Sequence, residues 1–202
     1  MGFLLDALLI SVVWCICCIP VITIGAATAA LHRVAINWMR RRAGCDIKTF
    51  LSAFWENLRG GTGVWLILLV PLALIVYNAY GIWIALVPAT SAMKWMTAIA
   101  ALVWTATAVY ALPLQACFEN PPMRTVLNAL RISVCHIGPT LFMVVMLAAV
   151  LLFTLIFPYG AFAYLPAYAF LAARPAWNVF ERVVGNPDVI VENGEEANAN
   201  SE

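Results

Sequence analysis

Three cysteines within four positions, Cys15, Cys17 and Cys18, are the first residues in the chain with the chemistry of a metal site. Thiolate ligands hold zinc when they converge on one point from a turn or from two elements. Here they follow one another along the apolar run LLISVVWCICC, where a free cysteine behaves as a small hydrophobe. Packing is therefore the expected role, and no metal is expected. Cys45, Cys117 and Cys135 fall near the charged ends of apolar stretches, on the side where thiols stay reduced, so no disulfide framework is expected either. His32 and His136 are the only histidines, and neither has a ligand partner at metal-binding spacing. Asp6 is the one acid placed inside an apolar stretch, which by itself marks a functional suspect. It stands within the first turns of a helix, however, where a carboxylate complements the N-terminal dipole and reaches water. The chain contains no phosphate-binding glycine loop, zinc-protease pair or nucleophile elbow. No catalytic, cofactor-binding or metal residue emerges, and an enzyme is not expected.

The elements that would position any such groups are set by composition. Of 202 residues 64% are hydrophobic and only 10% charged, against about 25% charged in globular chains. Charge is also unevenly placed: no Asp, Glu, Lys or Arg occurs between Arg59 and Lys94, between Lys94 and Glu119, or between Arg131 and Arg174. A membrane-crossing helix needs about 20 apolar residues. The first two gaps each hold one, and the third holds two, joined at Phe157-Pro158-Tyr159-Gly160. Lipid offers the backbone no hydrogen-bond partner, so these spans must be helical. The expected fold is an all-α, polytopic transmembrane helix bundle, a single domain over residues 1–184. A net charge of +1 without a basic stripe makes nucleic acid a poor partner.

Spans read as roughly 2–19, 62–84, 95–117, 138–158 and 161–182. An uncleaved first span is preferred to a signal peptide, because Asp6 stands where a basic lead would be required. After Pro20 and the Thr23-Ile24-Gly25 turn, the helix AATAALHRVAINWM has two courses open to it. Lying along the cytoplasmic face gives five crossings, the arrangement favoured by His32 and Arg33. Crossing back gives six. Ten basic residues (Arg33, Arg40, Arg41, Arg42, Lys48, Arg59, Arg124, Arg131, Arg174 and Arg182) then face one side, with Lys94 alone on the other. The positive-inside rule puts the rich side, and the C-terminus, in the cytoplasm of a cytoplasmic (inner) membrane protein. Trp38, Trp55, Trp65 and Trp177 suit an inner aromatic belt, and Tyr80, Trp83, Trp95 and Tyr159 an outer one. Trp104 falls near mid-span and reads as a packing residue.

Two segments break the apolar pattern. In IKTFLSAFWENL, Ile47, Phe50, Leu51, Phe54, Trp55 and Leu58 recur at i, i+3, i+4, i+7, i+8 and i+11, one face of a helix. Asp46 stands at its N-cap position. Shifted by 76 residues, MRTVLNALRISV places Met123, Val126, Leu127 and Leu130 on the matching positions, with Asn120 as the expected cap. Both segments are too short and too polar to cross and should be amphipathic interfacial helices. Each is followed by glycine and a span, which suggests a parallel internal repeat over residues 46–117 and 120–182. Asn78, Thr105, Thr107, Gln115, Thr154 and Asn178 are the scattered polar groups of the spans, suited to bonds between helices. Residues 185–202 carry five acids and no base, the pattern of a disordered, acidic cytoplasmic tail.

The segment IPVITIGAATAALHRVAINWMRRRAGCDIKTFLSAFWENLRGG resembles the YesL family of bacterial integral membrane proteins, a domain-of-unknown-function class. Pro20, Val21, Thr23 through Leu31, Phe50 and Phe54 carry the resemblance, with Asp6 and Trp14-Cys15 as its lead-in. Members usually have a longer N-terminal lead, which leaves open whether Met1 is the native start. Members are often encoded beside carbohydrate-uptake ABC transporters, so the resemblance implies a non-enzymatic accessory or scaffold role beside such a transporter. No catalytic residues come with it. A small solute transporter or channel built from the two repeats is the alternative reading. The oligomeric state is not legible in the sequence.

Overall fold

The charge-free stretches fold as long helices, and everything else is arranged against one of their ends. The computed structural model describes residues 2–40, 46–83, 91–118, 120–157 and 161–184. Cys45, the Pro158-Tyr159-Gly160 junction and the acidic segment 185–202 lie outside the described residues. All regular structure among the described residues is helical: α1 (Gly2–Cys17), a 3-10 turn (Val21–Thr23), α2 (Ile24–Met39), α3 (Ile47–Glu56), α4 (Leu58–Trp83), α5 (Ser91–Cys117), α6 (Pro122–Cys135), α7 (Ile137–Ile156) and α8 (Ala161–Val184).

Three of these, α4, α5 and α7, are long and apolar enough to cross a membrane. At ~1.5 Å per residue the 26 residues of α4 reach ~39 Å, more than the ~30 Å of a hydrocarbon core. Their surfaces suit that solvent, since Leu66, Val70, Leu74, Ile99, Leu102, Leu141, Phe142 and Leu152 all point outward. The 24 residues of α8 are long enough as well, but Arg174, Glu181 and Arg182 make it less apolar. Only 16 residues form α1, and Thr23 closes its end by donating its hydroxyl to the Cys17 carbonyl at 2.7 Å.

The centre of the bundle is α2. Ten of its sixteen residues are buried, and it touches α3, α4, α5 and α8 as well as α1. A helix resting on the cytoplasmic face would keep one side wet; this one is enclosed. The reason lies in the small-residue run Gly25-Ala26-Ala27-Thr28-Ala29-Ala30, which lets neighbouring backbones approach closely. Around it sit two apolar clusters. One joins Ile10, Ala27, Leu31, Val34, Phe50 and Phe54 on α1, α2 and α3. The other joins Ile36, Val64, Leu68, Tyr110, Met143 and Phe180 on α2, α4, α5, α7 and α8.

The two amphipathic segments are both helices, yet they turn their faces differently. In α3 the buried residues are Phe50, Ala53 and Phe54, while Leu51 and Trp55, on the same apolar stripe, are exposed. In α6 the buried residues are Thr125, Ala129, Ile132 and Ser133, and the apolar positions Met123 and Leu127 face outward. Neither expected cap operates. Asp46 occupies the N-cap of α3, but its side chain makes no capping bond. In α6 the N-cap is Pro121 rather than Asn120, and Pro122 takes the proline-tolerant first position.

Candidate functional site

A stretch of four residues at the start of α4, Gly60-Gly61-Thr62-Gly63, joins the bundle from three directions. Gly61 meets α2, where a Cβ would stand 2.8 Å from Ala26 Cα. Gly60 meets α5, where a Cβ would press into the Gln115 amide, and Gly63 meets α6, where it would stand 2.7 Å from Pro122 Cγ. Gly25 completes the contact from α2, packed on Gly61 and the base of Trp65. At Gly25 and Gly61 only hydrogen in place of a side chain lets the two backbones meet, whereas at Gly60 the neighbour is the movable end of Gln115. Gly138, after the second amphipathic segment, has nothing within 4 Å, so the two glycines that follow the paired segments serve different ends.

Polar side chains fasten the same region. Thr125 on α6 donates to Gln115 Oε1 on α5 at 2.7 Å, with both residues buried. Arg33 on α2 pairs with Glu56 at the end of α3 at 2.6 Å. The Trp65 indole N–H donates to the Val21 carbonyl at 2.9 Å, tying α4 to the turn before α2. Arg40 stacks over the Trp177 ring 3.9 Å from its centroid, and the Trp177 indole donates to Glu181 at 2.6 Å. Trp177 is thereby buried rather than part of an interfacial belt. The Tyr110 and Thr140 hydroxyls, 3.3 Å apart, link α5 to α7. Deep in the spans, Trp104 on α5 donates to the Leu68 carbonyl of α4 at 2.9 Å. That carbonyl lies next to Ile67, whose own i+4 donor is missing because Pro71 has no N–H.

Between α4 and α5, with α6 at one end, lies a groove of about 860 Å³. Leu74, Met96, Ile99, Val103, Leu127 and Leu130 are among its walls. Asn78, Thr97, Trp104 and Thr107 also line it, and a donor of each is bonded to a backbone carbonyl, that of Trp104 to Leu68 of α4. Asn78 donates to Leu74, Thr97 to Met93 and Thr107 to Val103, at 2.9, 3.0 and 2.8 Å. What the groove presents is hydrocarbon.

The residues singled out from their chemistry do not gather here. Cys15, Cys17 and Cys18 are partly buried around the end of α1, with Cys17 and Cys18 packed on the α1–α2–α3 cluster. Cys117 packs on the larger cluster, and Cys135 is exposed at the end of α6. No group of three or more His, Cys, Asp or Glu that could hold a metal occurs among the described residues. His32 is buried, its Nδ1–H donating to the Thr28 carbonyl at 2.8 Å, while Nε2 has no partner among the described residues. His136 sits at the junction of α6 and α7. Of the polar groups expected to join helices, Gln115 does so, and Asn178 is exposed. Asn78, Thr105, Thr107 and Thr154 bond their own i−4 carbonyls instead. A threonine hydroxyl reaches that carbonyl from a favoured rotamer, which satisfies it without a neighbour. Trp65, Trp104 and Thr125, which are among the residues that do bridge elements, carry no signal in a single sequence beyond being polar at one atom.

A family model described as "Protein of unknown function, DUF624" matches residues 7–79, from α1 through most of α4. That stretch takes in Gly25, the Gly60–Gly63 junction and the Arg33–Glu56 pair. No curated protein and no solved structure matches the chain.

Proposed function

We propose that this chain is a non-enzymatic accessory or scaffold protein of the cytoplasmic membrane, associated with carbohydrate uptake. In this reading α1 and α8 are further crossings beside α4, α5 and α7, giving five, and the basic side and C-terminus face the cytoplasm. The observation that carries it is the use of polar atoms. Buried threonines tie one helix to another or bond their own helix, as Thr125 does with Gln115 and Thr107 with Val103. A groove walled almost wholly by apolar side chains has little to offer a polyhydroxylated solute, which needs several hydrogen-bond partners. The link to sugar uptake rests on the YesL resemblance, through which a carbohydrate ABC transporter is the partner proposed.

The test is co-purification in a mild detergent from cells that carry both the protein and its neighbouring permeases. Recovery of a permease or ABC component is expected. Repeated recovery of the chain alone, under conditions that preserve other membrane complexes, argues against a scaffold. The alternative, a small solute transporter or channel, is favoured if proteoliposomes holding only this chain take up sugar.

A further inference from the structure

Ala167, Leu171, Arg174 and Asn178 form an outward stripe on α8, exposed and spaced by four, three and four residues. That 3.5-residue spacing is the one with which a helix lies along a neighbour at a shallow crossing angle. The exposed Asn78 of α4 and Thr97 of α5 bond their own helices. Arg174 and Asn178 have no hydrogen-bond or ion-pair partner among the described residues. The one acid of α8, Glu181, is bonded to Trp177 and stands about 10 Å further along the helix.

The depth of Arg174 makes its exposure costly. Phe153 of α7 packs on Tyr164 of α8, their ring centroids 5.2 Å apart, and the two helices run back from there side by side. Ten residues from that contact on either helix, Arg174 stands level with Met143. Met143 shares a buried cluster with Ala172, Ala173 and Ala176. It lies about 9 Å inside the start of α7, beyond the outward-facing Leu141 and Phe142. A helical Cα–Cβ bond tilts toward the helix N-terminus, which here is away from the cytoplasmic head groups. Arg174 therefore starts in the wrong direction to snorkel.

We propose that this stripe docks a membrane-crossing helix of another protein, whose carboxylate at this depth pairs with Arg174. The proposal rests on α8 being a crossing, and it names the face by which an accessory protein holds its partner. Ionisable groups inside a membrane pair with one another, and a guanidinium offers a carboxylate two parallel donors. Asn178, one turn away, adds an amide suited to bonds between helices and to fixing their register. A second copy docked in register by the same stripe would set Arg174 against Arg174, so like charge disfavours it.

The test is photo-crosslinking in cell membranes, with benzoylphenylalanine in place of Ala167 or Leu171, and in place of Leu141 or Leu152 on α7 as controls. Adducts would be identified by mass spectrometry. The α8 positions are expected to trap an apolar segment of another membrane protein that contains Asp or Glu, and the α7 positions lipid alone. R174Q should lower the α8 adduct about tenfold or more, as for one partner lost from a desolvated charge pair, and R174K should retain most of it. R174E should lose it and regain it when the partner's acid is changed to arginine. Thermal unfolding in detergent checks that each variant folds. Lipid adducts alone on α8, a trapped segment without an acid, or an undiminished adduct in R174Q overturns the proposal. An adduct to a second copy, or to residues 185–202 of the same chain, overturns it as well. If R174Q still recovers an ABC component in full, this face fails and the accessory reading stands. If the acid-bearing partner has no part in sugar uptake, the face stands and the carbohydrate link falls.

Discussion

Gly25 of α2 and Gly61 of α4 pack backbone on backbone, so that a side chain on either would enter the other helix. This contact brings the buried α2 against the long α4 and sets the distance between them. Gly61→Val should lower stability by about 1–3 kcal/mol or more, because the atoms it meets are backbone and cannot rotate away. Gly81→Ala, in open space on the same helix, should be neutral or raise stability by up to ~1 kcal/mol. Thermal unfolding of both variants in one detergent checks the pair. Equal loss at the two positions would mean that the close approach does not exist.

The bond from Thr125 to Gln115 gives a second expectation. Thr125→Val keeps the shape but leaves Gln115 Oε1 buried without its donor, at a cost of about 1–3 kcal/mol. Gln115→Leu with Thr125→Val removes both partners and should recover part of that loss. A double-mutant cycle on unfolding midpoints measures the coupling, expected near the ~0.6 to 1.7 kcal/mol of bonds between membrane helices. Zero coupling would show that α5 and α6 are not joined here.

In α3, Phe50 is fully buried and Trp55 is 68% exposed, although both stand on the apolar stripe. Phe50→Ala is therefore expected to cost about 3–5 kcal/mol, and Trp55→Ala less than ~1 kcal/mol. Denaturant unfolding in detergent, with membrane yield as a check, separates them. The opposite order would place the helix face-down on lipid rather than against α1 and α2.

The orientation proposed for the bundle is tested by labelling. In a chain freed of native cysteines, Lys94→Cys should react with an impermeant reagent from outside. Lys48→Cys should react only once the membrane is opened. Both side chains are exposed, so burial does not confuse the result. Labelling of both positions from one side would remove the basis for the positive-inside assignment.

Composition and charge spacing alone determined that α4, α5 and α7 are long apolar helices, because lipid leaves the backbone no alternative. The 3.6-residue pattern likewise made α3 and α6 amphipathic helices. Periodicity describes a helix against an average surrounding, however, and three matters depended on particular neighbours. The AATAA run permits close approach without saying to what, so only the packing of Gly25 on Gly61 made α2 the centre of the bundle rather than a surface helix. A broad apolar stripe does not say which part of it meets protein; in α6, Thr125 turns inward to Gln115 of α5 and Ala129 joins the larger apolar cluster, which leaves Leu127 and Leu130 to the groove. A hydroxyl's partner is decided by what lies within 3 Å, so threonines with the same sequence signature bond their own helix at Thr107 and a neighbour at Thr125. These are choices between nearly equal local options, and the tertiary contacts settled each one.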